Sequence, residues 1–354
     1  MEIRHPKNEF WQNRRVLITG NTGFKGAWLT KYLDIHKSIL RGISLNASVS
    51  TPNLFSNIDL SGICETTFLN ICEIKYVQDV INHFKPEIII HLAAESLVSE
   101  ANKFPFSTYK TNTLGTLSIL EAAVTSVSPP GVILVVTTDK VYWPQTSSTY
   151  TEQDLLGATD TYSASKVSAE YISRSYNEFF GNEVKIATAR SGNVYGGYDW
   201  AKNRIIPDYF RALLSNSVLQ IRNKNAIRPW QYILDTLRGY LLFVEDLFNG
   251  KTEERSLNFG PNISDNVKVY ELIEILDKST NFLPVKTIEV QSKYKEINSL
   301  KLNSERALEF IKYSPAVSLH EGIARTTSVY LHKLDLDEIV TAEIMNYNKI
   351  KFRS

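Results

Sequence analysis

The chain has little cysteine, almost no net charge and no long apolar run, and each scarcity closes off a class of protein. Two cysteines, Cys64 and Cys72, stand among 354 residues; they cannot build a disulfide framework, and their spacing fits no zinc pair. Lys+Arg 39 against Asp+Glu 38 leaves a formal +1, which removes the basic footprint that nucleic-acid binding needs. Apolar runs such as Ile88 to Ile90 and Val132 to Val136 fall far short of the ~20 residues of a membrane helix. The polar stretch Met1 to Arg15 holds no secretory apolar segment. These absences predict a soluble, cytoplasmic chain with neither a nucleic-acid nor a membrane partner. The composition, 43% hydrophobic and 22% charged, is enough for about two domains at roughly 150 residues each.

The first half alternates short Ile/Val-rich runs with longer amphipathic stretches. Strands are expected at Arg15 to Thr19, Leu40 to Leu45, Glu87 to Leu92, Val132 to Thr137 and Lys185 to Ala189. Helices are expected at Gly26 to Ile35, Ile74 to Phe84, Thr113 to Val124 and Tyr162 to Phe180. Apolar strands without alternation are buried on both faces, so the pattern predicts an α/β fold, a doubly wound parallel sheet of the Rossmann type. After about Arg190 the rhythm breaks. Residues 1–189, with about 226–260, are expected to form the dinucleotide-binding domain, and 190–225 with 261–354 a smaller lobe of longer helices. The cleft between them, at the carboxyl ends of the strands, is the expected site.

The first strand runs into Gly20-Asn21-Thr22-Gly23-Phe24-Lys25-Gly26 and then into a helix. Gly20 permits a tight turn, Gly23 lets backbone approach a pyrophosphate, and Gly26 allows close helix–strand contact. The helix N-terminus offers unpaired N–H groups and a positive dipole end to phosphates. A glycine-rich turn with no ligand is the plain alternative, but the strand–turn–helix context favours a dinucleotide. Asn46, after the second strand, can hydrogen-bond a ribose but carries no charge to repel a 2′-phosphate, so NAD is favoured on hydrogen bonding alone.

Tyr162 and Lys166 stand four apart on a predicted helix and share a face. A tyrosine of pKa ~10 serves as a base near neutrality only when positive charge favours its phenolate. The Lys166 cation and an oxidised nicotinamide are the expected sources. Such a pair is common by chance. What gives it weight is Thr138-Asp139-Lys140 at the carboxyl end of the strand Val132 to Thr137, where Thr138 can bond a sugar hydroxyl and Asp139-Lys140 add an acid/base pair.

These residues carry a resemblance. Thr19 to Leu29, His91-Leu92-Ala93-Ala94, Thr138 to Tyr142, Asp160 to Ser163, Arg190 to Ala201, Arg204 to Asp208 and Ile227 to Gln231 resemble the extended short-chain dehydrogenase/reductase family. Within it the chain is most similar to the CDP-glucose 4,6-dehydratases, from about Phe10 to the C-terminal lobe. The resemblance implies a lyase that recycles NAD internally while forming a 4-keto-6-deoxy sugar. Thr138, Tyr162 and Lys166 would serve oxidation at C4, Asp139 would be the acid, and Lys140 would be associated with proton removal at C5. Gly20, Thr22, Gly23, Phe24, Gly26, Asn46, Asn70, Leu92, Ala93 and Ala94, with Tyr162 and Lys166, would hold the cofactor. Arg190, Asn193, Arg204 and Arg228 would meet the nucleotide sugar; singly, each arginine is as readily an ion-pair residue. A homodimer or tetramer through helices that include the Tyr–Lys one is also implied. Two alternatives stay open: a C4 epimerase or oxidase of the same family, and a non-catalytic dinucleotide-binding sensor or scaffold.

Overall fold

The computed structural model describes residues 2–45, 52–144, 149–291, 298–332 and 335–352. In chain order the first six strands are β1 (Arg15–Thr19), β2 (Ile39–Ser44), β3 (Cys64–Phe68), β4 (Ile88–His91), β5 (Val132–Val136) and β6 (Lys185–Ser191). They are followed by β7 (Asn193–Tyr195), β8 (Leu219–Ile221), β9 (Ile227–Tyr232), β10 (Ser256–Phe259), β11 (Asn266–Lys268) and β12 (Thr287–Glu289). Seven of them make one sheet in the order β10-β6-β5-β4-β1-β2-β3, parallel throughout.

The core explains why a run such as Val-Ile-Leu-Val-Val becomes a central strand. Successive side chains of β5 point to opposite faces. Val132, Leu134 and Val136 join an apolar layer with Trp28, Leu29 and Tyr240. Ile133 and Val135 join another with Val77, Ile81, Ile119 and Leu120. Helices Phe24–Ile35 and Ile233–Phe248 therefore cover one face, and Ile74–Phe84, Gly115–Val124 and Thr161–Phe180 the other. The order reverses between β1 and β4, which opens a crevice outside their carboxyl ends.

The structure adds detail that the sequence pattern did not supply. β9 does not join the large sheet but pairs with β7 and β11 in a three-stranded one. The helices after Gly260, Val269–Ser279, Glu305–Ile311, Leu319–Tyr330 and Leu336–Tyr347, are shorter than Thr161–Phe180, not longer. The last of them returns to the sheet half: Lys31 Nζ meets Asp337 at 2.6 Å, and Tyr32 OH donates to Asn348 at 2.7 Å. The edge strand β3, only partly buried and holding Glu, Thr and Thr, escaped the apolar pattern.

Candidate active site

The loop after β1 is built by glycine. Gly20 has φ +75, and a Cβ there would lie 2.7 Å from the Ala93 nitrogen. A Cβ on Gly26 would lie 2.1 Å from the Gly20 carbonyl oxygen. Gly23 differs, since its Cβ would touch only that oxygen, at 3.4 Å, and otherwise enter open space. Gly20 and Gly26 thus hold the loop shut while Gly23 leaves room for a phosphate over the helix N-terminus.

The cleft above this loop has a volume of about 880 Å³, at the upper end of the range for ligand cavities. Gly20, Thr22, Gly23, Phe24, Gly26, Asn70, Leu92, Ala93 and Ala94 all line it. Asn46 lies outside the described residues. Arg41 is engaged elsewhere, pairing with Glu65 and donating to Thr67 Oγ1 at 3.0 Å.

Across the cleft, β5 ends and the chain turns through Thr138, Asp139 and Lys140, all lining it. The helix Thr161–Phe180 starts beside them because Asp160 caps it, accepting from the Ser163 nitrogen at 3.0 Å. This places Tyr162 and Lys166 on the same wall. Thr138 Oγ1 donates to Asp139 Oδ1 at 3.0 Å and also hydrogen-bonds Tyr162. One hydroxyl proton serves only one acceptor at a time. Asp139 is buried, its Oδ2 has no partner, and burial raises its pKa against the pull of Lys140, Thr138, Arg228 and Lys25.

The electrostatics differ from expectation. Burial pushes Tyr162 up to about 12, against the Thr138 hydrogen bond and Arg204, which pull it down. The lysine is itself displaced: burial lowers Lys166 to about 8, and its Nζ donates to the Val136 carbonyl at 2.9 Å. In the protein alone, Tyr162 is a weak acid awaiting positive charge.

Asn193, Arg204 and Arg228 line the cleft, with Arg204 steadied by Asp199 at 2.8 Å. Arg190 does not line it. It lies on β6, buried, and is committed to Glu170 through Nε at 3.0 Å and Nη2 at 2.7 Å. Charge of one sign does not reveal whether an arginine faces a ligand or a buried carboxylate. Trp230 reaches the wall of the cleft, whereas Trp200 packs edge-on against Tyr330 at 5.0 Å. Among the lining residues that carried no assignment from the sequence are two cations, Lys25 and Arg222. Lys25 Nζ donates to Ser191 Oγ at 2.8 Å, and burial lowers it to about 7; its place between Gly23 and Gly26 was the available signal.

The model of the family described as GDP-mannose 4,6 dehydratase matches residues 17–326. The chain belongs to this family. It is 34% identical over 330 residues to a CDP-glucose 4,6-dehydratase of Salmonella typhimurium, covering 89% of this chain and 90% of that one. Against a dTDP-glucose 4,6-dehydratase of the same organism the identity is 25%, over 90% and 92% of the two chains. Among solved structures, a dTDP-glucose 4,6-dehydratase of Streptomyces venezuelae with NAD bound superposes at TM-score 0.76 and 25% identity, covering 90% of this chain and 97% of that one. A UDP-glucose 4-epimerase of Thermotoga maritima gives 0.77 at 21% identity, over 90% and 99%, and so shares the fold. The chain presents its glycine loop and its Tyr–Lys pair to one cleft.

Proposed function

We propose that this chain is an NAD-dependent nucleotide-sugar 4,6-dehydratase acting on CDP-glucose. The observation that carries the reading is Asp139, a buried carboxyl with an unpartnered oxygen beside Lys140 and Tyr162 in the cleft. Epimerisation at C4 needs a proton shuttle at one oxygen; loss of water needs a second acid and a base. Burial favours the protonated form of the Asp139 carboxyl, which suits it to donate a proton.

The cradle residues fit a dinucleotide, because Gly23 leaves a gap where its pyrophosphate would rest. Arg41 is already paired with Glu65, which supports NAD. The chemistry this group supplies when bound is reversible hydride exchange with the sugar. Tyr162 accepts the C4 hydroxyl proton, steadied by Thr138. Lys166, anchored on Val136, sets the height of the helix. Lys140 removes the C5 proton, and Asp139 protonates the departing C6 hydroxyl. Arg204, Arg228 and Asn193 hold the nucleotide diphosphate, where guanidinium forks match phosphate geometry. The same reading makes the chain a cytoplasmic homodimer. Phe104, Phe106, Tyr109 and Leu114 are exposed on the segment packed beside the Tyr–Lys helix, and they support a second copy there.

The test is incubation with CDP-, GDP-, UDP- and dTDP-hexoses without added NAD, with products weighed by mass spectrometry. Loss of one water from CDP-glucose is expected. An unchanged mass with inverted C4 would mean an epimerase, and no turnover at all a binding protein.

A further inference from the structure

Arg190 is absent from the cleft yet sits at the centre of a buried polar chain that ends on both sides of the catalytic turn. Glu170 lies one helical turn beyond Lys166. Its carboxylate accepts from Thr137 Oγ1 at 2.5 Å, Thr188 Oγ1 at 2.8 Å, Arg190 Nε at 3.0 Å and Arg190 Nη2 at 2.7 Å. Arg190 Nη1 then donates to Tyr142 OH at 2.9 Å, and Tyr142 OH donates to Asn258 Oδ1 at 2.6 Å. The guanidinium also lies over the Tyr142 ring, 5.2 Å from its centroid, and that ring stacks on Tyr150 at 5.1 Å.

A buried ion pair is weak evidence for stability, since apolar residues of the same volume often serve as well or better. What this one does geometrically is specific. Thr137 immediately precedes Thr138-Asp139-Lys140, and Tyr142 ends the short turn Asp139–Val141. Both ends of the segment are therefore tied, directly or through Arg190, to a single carboxylate on the helix that carries Tyr162 and Lys166. Resting on the dehydration proposed above, we propose that Glu170, Arg190 and Tyr142 are positioning residues, a two-ended clamp that fixes Asp139 and Lys140 relative to Tyr162.

Oxidation at C4 draws on Tyr162, which the helix carries and Lys166 ties to the end of β5, and on Thr138 at the Thr137 end of the clamp. Water loss draws on Asp139 and Lys140, which the clamp holds. Misplacing a reacting group by about 1 Å costs on the order of 100-fold in rate, so loosening the Tyr142 end should slow elimination more than oxidation.

The decisive variant is Tyr142→Phe, which removes one hydroxyl from the relay. With CDP-glucose, kcat should fall roughly tenfold or more while KM changes less than about twofold, in the range that mispositioning produces. Reduced nicotinamide should accumulate during turnover, seen by its near-ultraviolet absorbance. Thr188→Val is the control. It removes a hydrogen bond to the same carboxylate from a residue that is not tied to the turn, and should lower Tm without that accumulation. Should Tyr142→Phe fail to fold, Arg190→Lys, which keeps the charge and gives up the fork, carries the same expectation. A Tyr142→Phe enzyme with normal kcat, or one whose loss shows no accumulation, overturns the clamp. A wild-type protein that dehydrates no nucleotide hexose overturns the proposed function instead, before any variant is made.

Discussion

The Lys166 ammonium donates to the carbonyl of Val136, 2.9 Å away at the last residue of β5. One turn earlier on the same helix stands Tyr162, so this bond ties the height of the phenol to the end of the sheet. The same burial leaves the cation poorly solvated and lowers its pKa to about 8. Unfolded, a lysine titrates near ~10.4. Between those values the unfolded chain binds the extra proton, so stability rises with pH; below about 8 the penalty is present in full. Lys25, lowered to about 7 by burial, acts in the same direction. Lys166→Met should therefore flatten the rise in Tm between pH ~8 and ~10 in cofactor-free protein while lowering turnover. Identical pH profiles for variant and wild type would contradict the assignment.

Tyr162→Phe keeps the ring and removes the proton acceptor. Turnover should be abolished, with melting temperature and dinucleotide binding unchanged. Substantial residual dehydration would remove Tyr162 from its role as base. The burial that raises the phenol to about 12 adds a pH expectation. The rate should climb from neutral into alkaline solution as the phenolate form is reached, and it should climb at lower pH when oxidised nicotinamide, a positive charge, is bound.

Much of this architecture was legible in the sequence because the physics there is local. Val132 to Val136 is apolar without alternation, and only a strand covered on both faces tolerates that. The helix Ile74–Phe84 has the bounds its periodicity predicts. The glycine loop, the Thr138–Lys140 turn and the Tyr162–Lys166 spacing each declare a backbone or side-chain requirement within a few residues. Arg190 does not, because its partner Glu170 is 20 residues away and the choice between carboxylate and phosphate is made by tertiary packing. β9 went unread for a related reason: Arg228, Pro229 and Gln231 conceal a strand whose pairing with β7 and β11 is non-local. The helix Gly115–Val124 begins later than expected because a wide turn at Lys110–Leu114 precedes it. There Asn112 bonds the Glu95 backbone and Ser165.

Two glycines of one loop should behave oppositely. Gly26→Ala drives a methyl to 2.1 Å from the Gly20 carbonyl, and backbone must shift; the protein should lose stability on the scale of core overpacking, about 1–3 kcal/mol. Gly23→Ala meets only a 3.4 Å contact, so Tm should hold while the methyl occupies the phosphate space. Calorimetric titration with NAD should then show affinity lost in both variants but stability lost only in Gly26→Ala. Unimpaired NAD binding by Gly23→Ala would place the pyrophosphate elsewhere.

Asp139→Asn separates acid catalysis from folding. The native carboxyl is buried with Oδ2 unpartnered, and its pKa is raised, so its charged form opposes folding. Because the folded pKa lies above the unfolded one, that opposition is complete above the folded value and fades as pH falls. The amide, never charged, should match or exceed wild-type Tm at neutral pH. Dehydration should fall by about 10²–10⁴, the span of general acid catalysis. A variant both unstable and fully active would reverse the argument on each count.

Phe106 is 83% exposed on the segment Pro105–Tyr109, which packs against the helix Thr161–Phe180, and Phe104, just before that segment, is 60% exposed. Clustered exposed aromatics of this kind mark an interaction surface in a soluble chain. Phe106→Glu should leave the isolated subunit's stability within about 0.5 kcal/mol, as surface changes do, because Phe106 buries little within it. Across the proposed two-fold interface it would set a carboxylate against apolar surface, and sedimentation should report single subunits for the variant against the dimers expected of the wild type. Activity should fall as well, although Phe106 does not line the cleft, since freeing this segment loosens the neighbour of the helix that carries Tyr162. A variant of dimeric mass would move the interface to another face, and monomeric wild type would remove it.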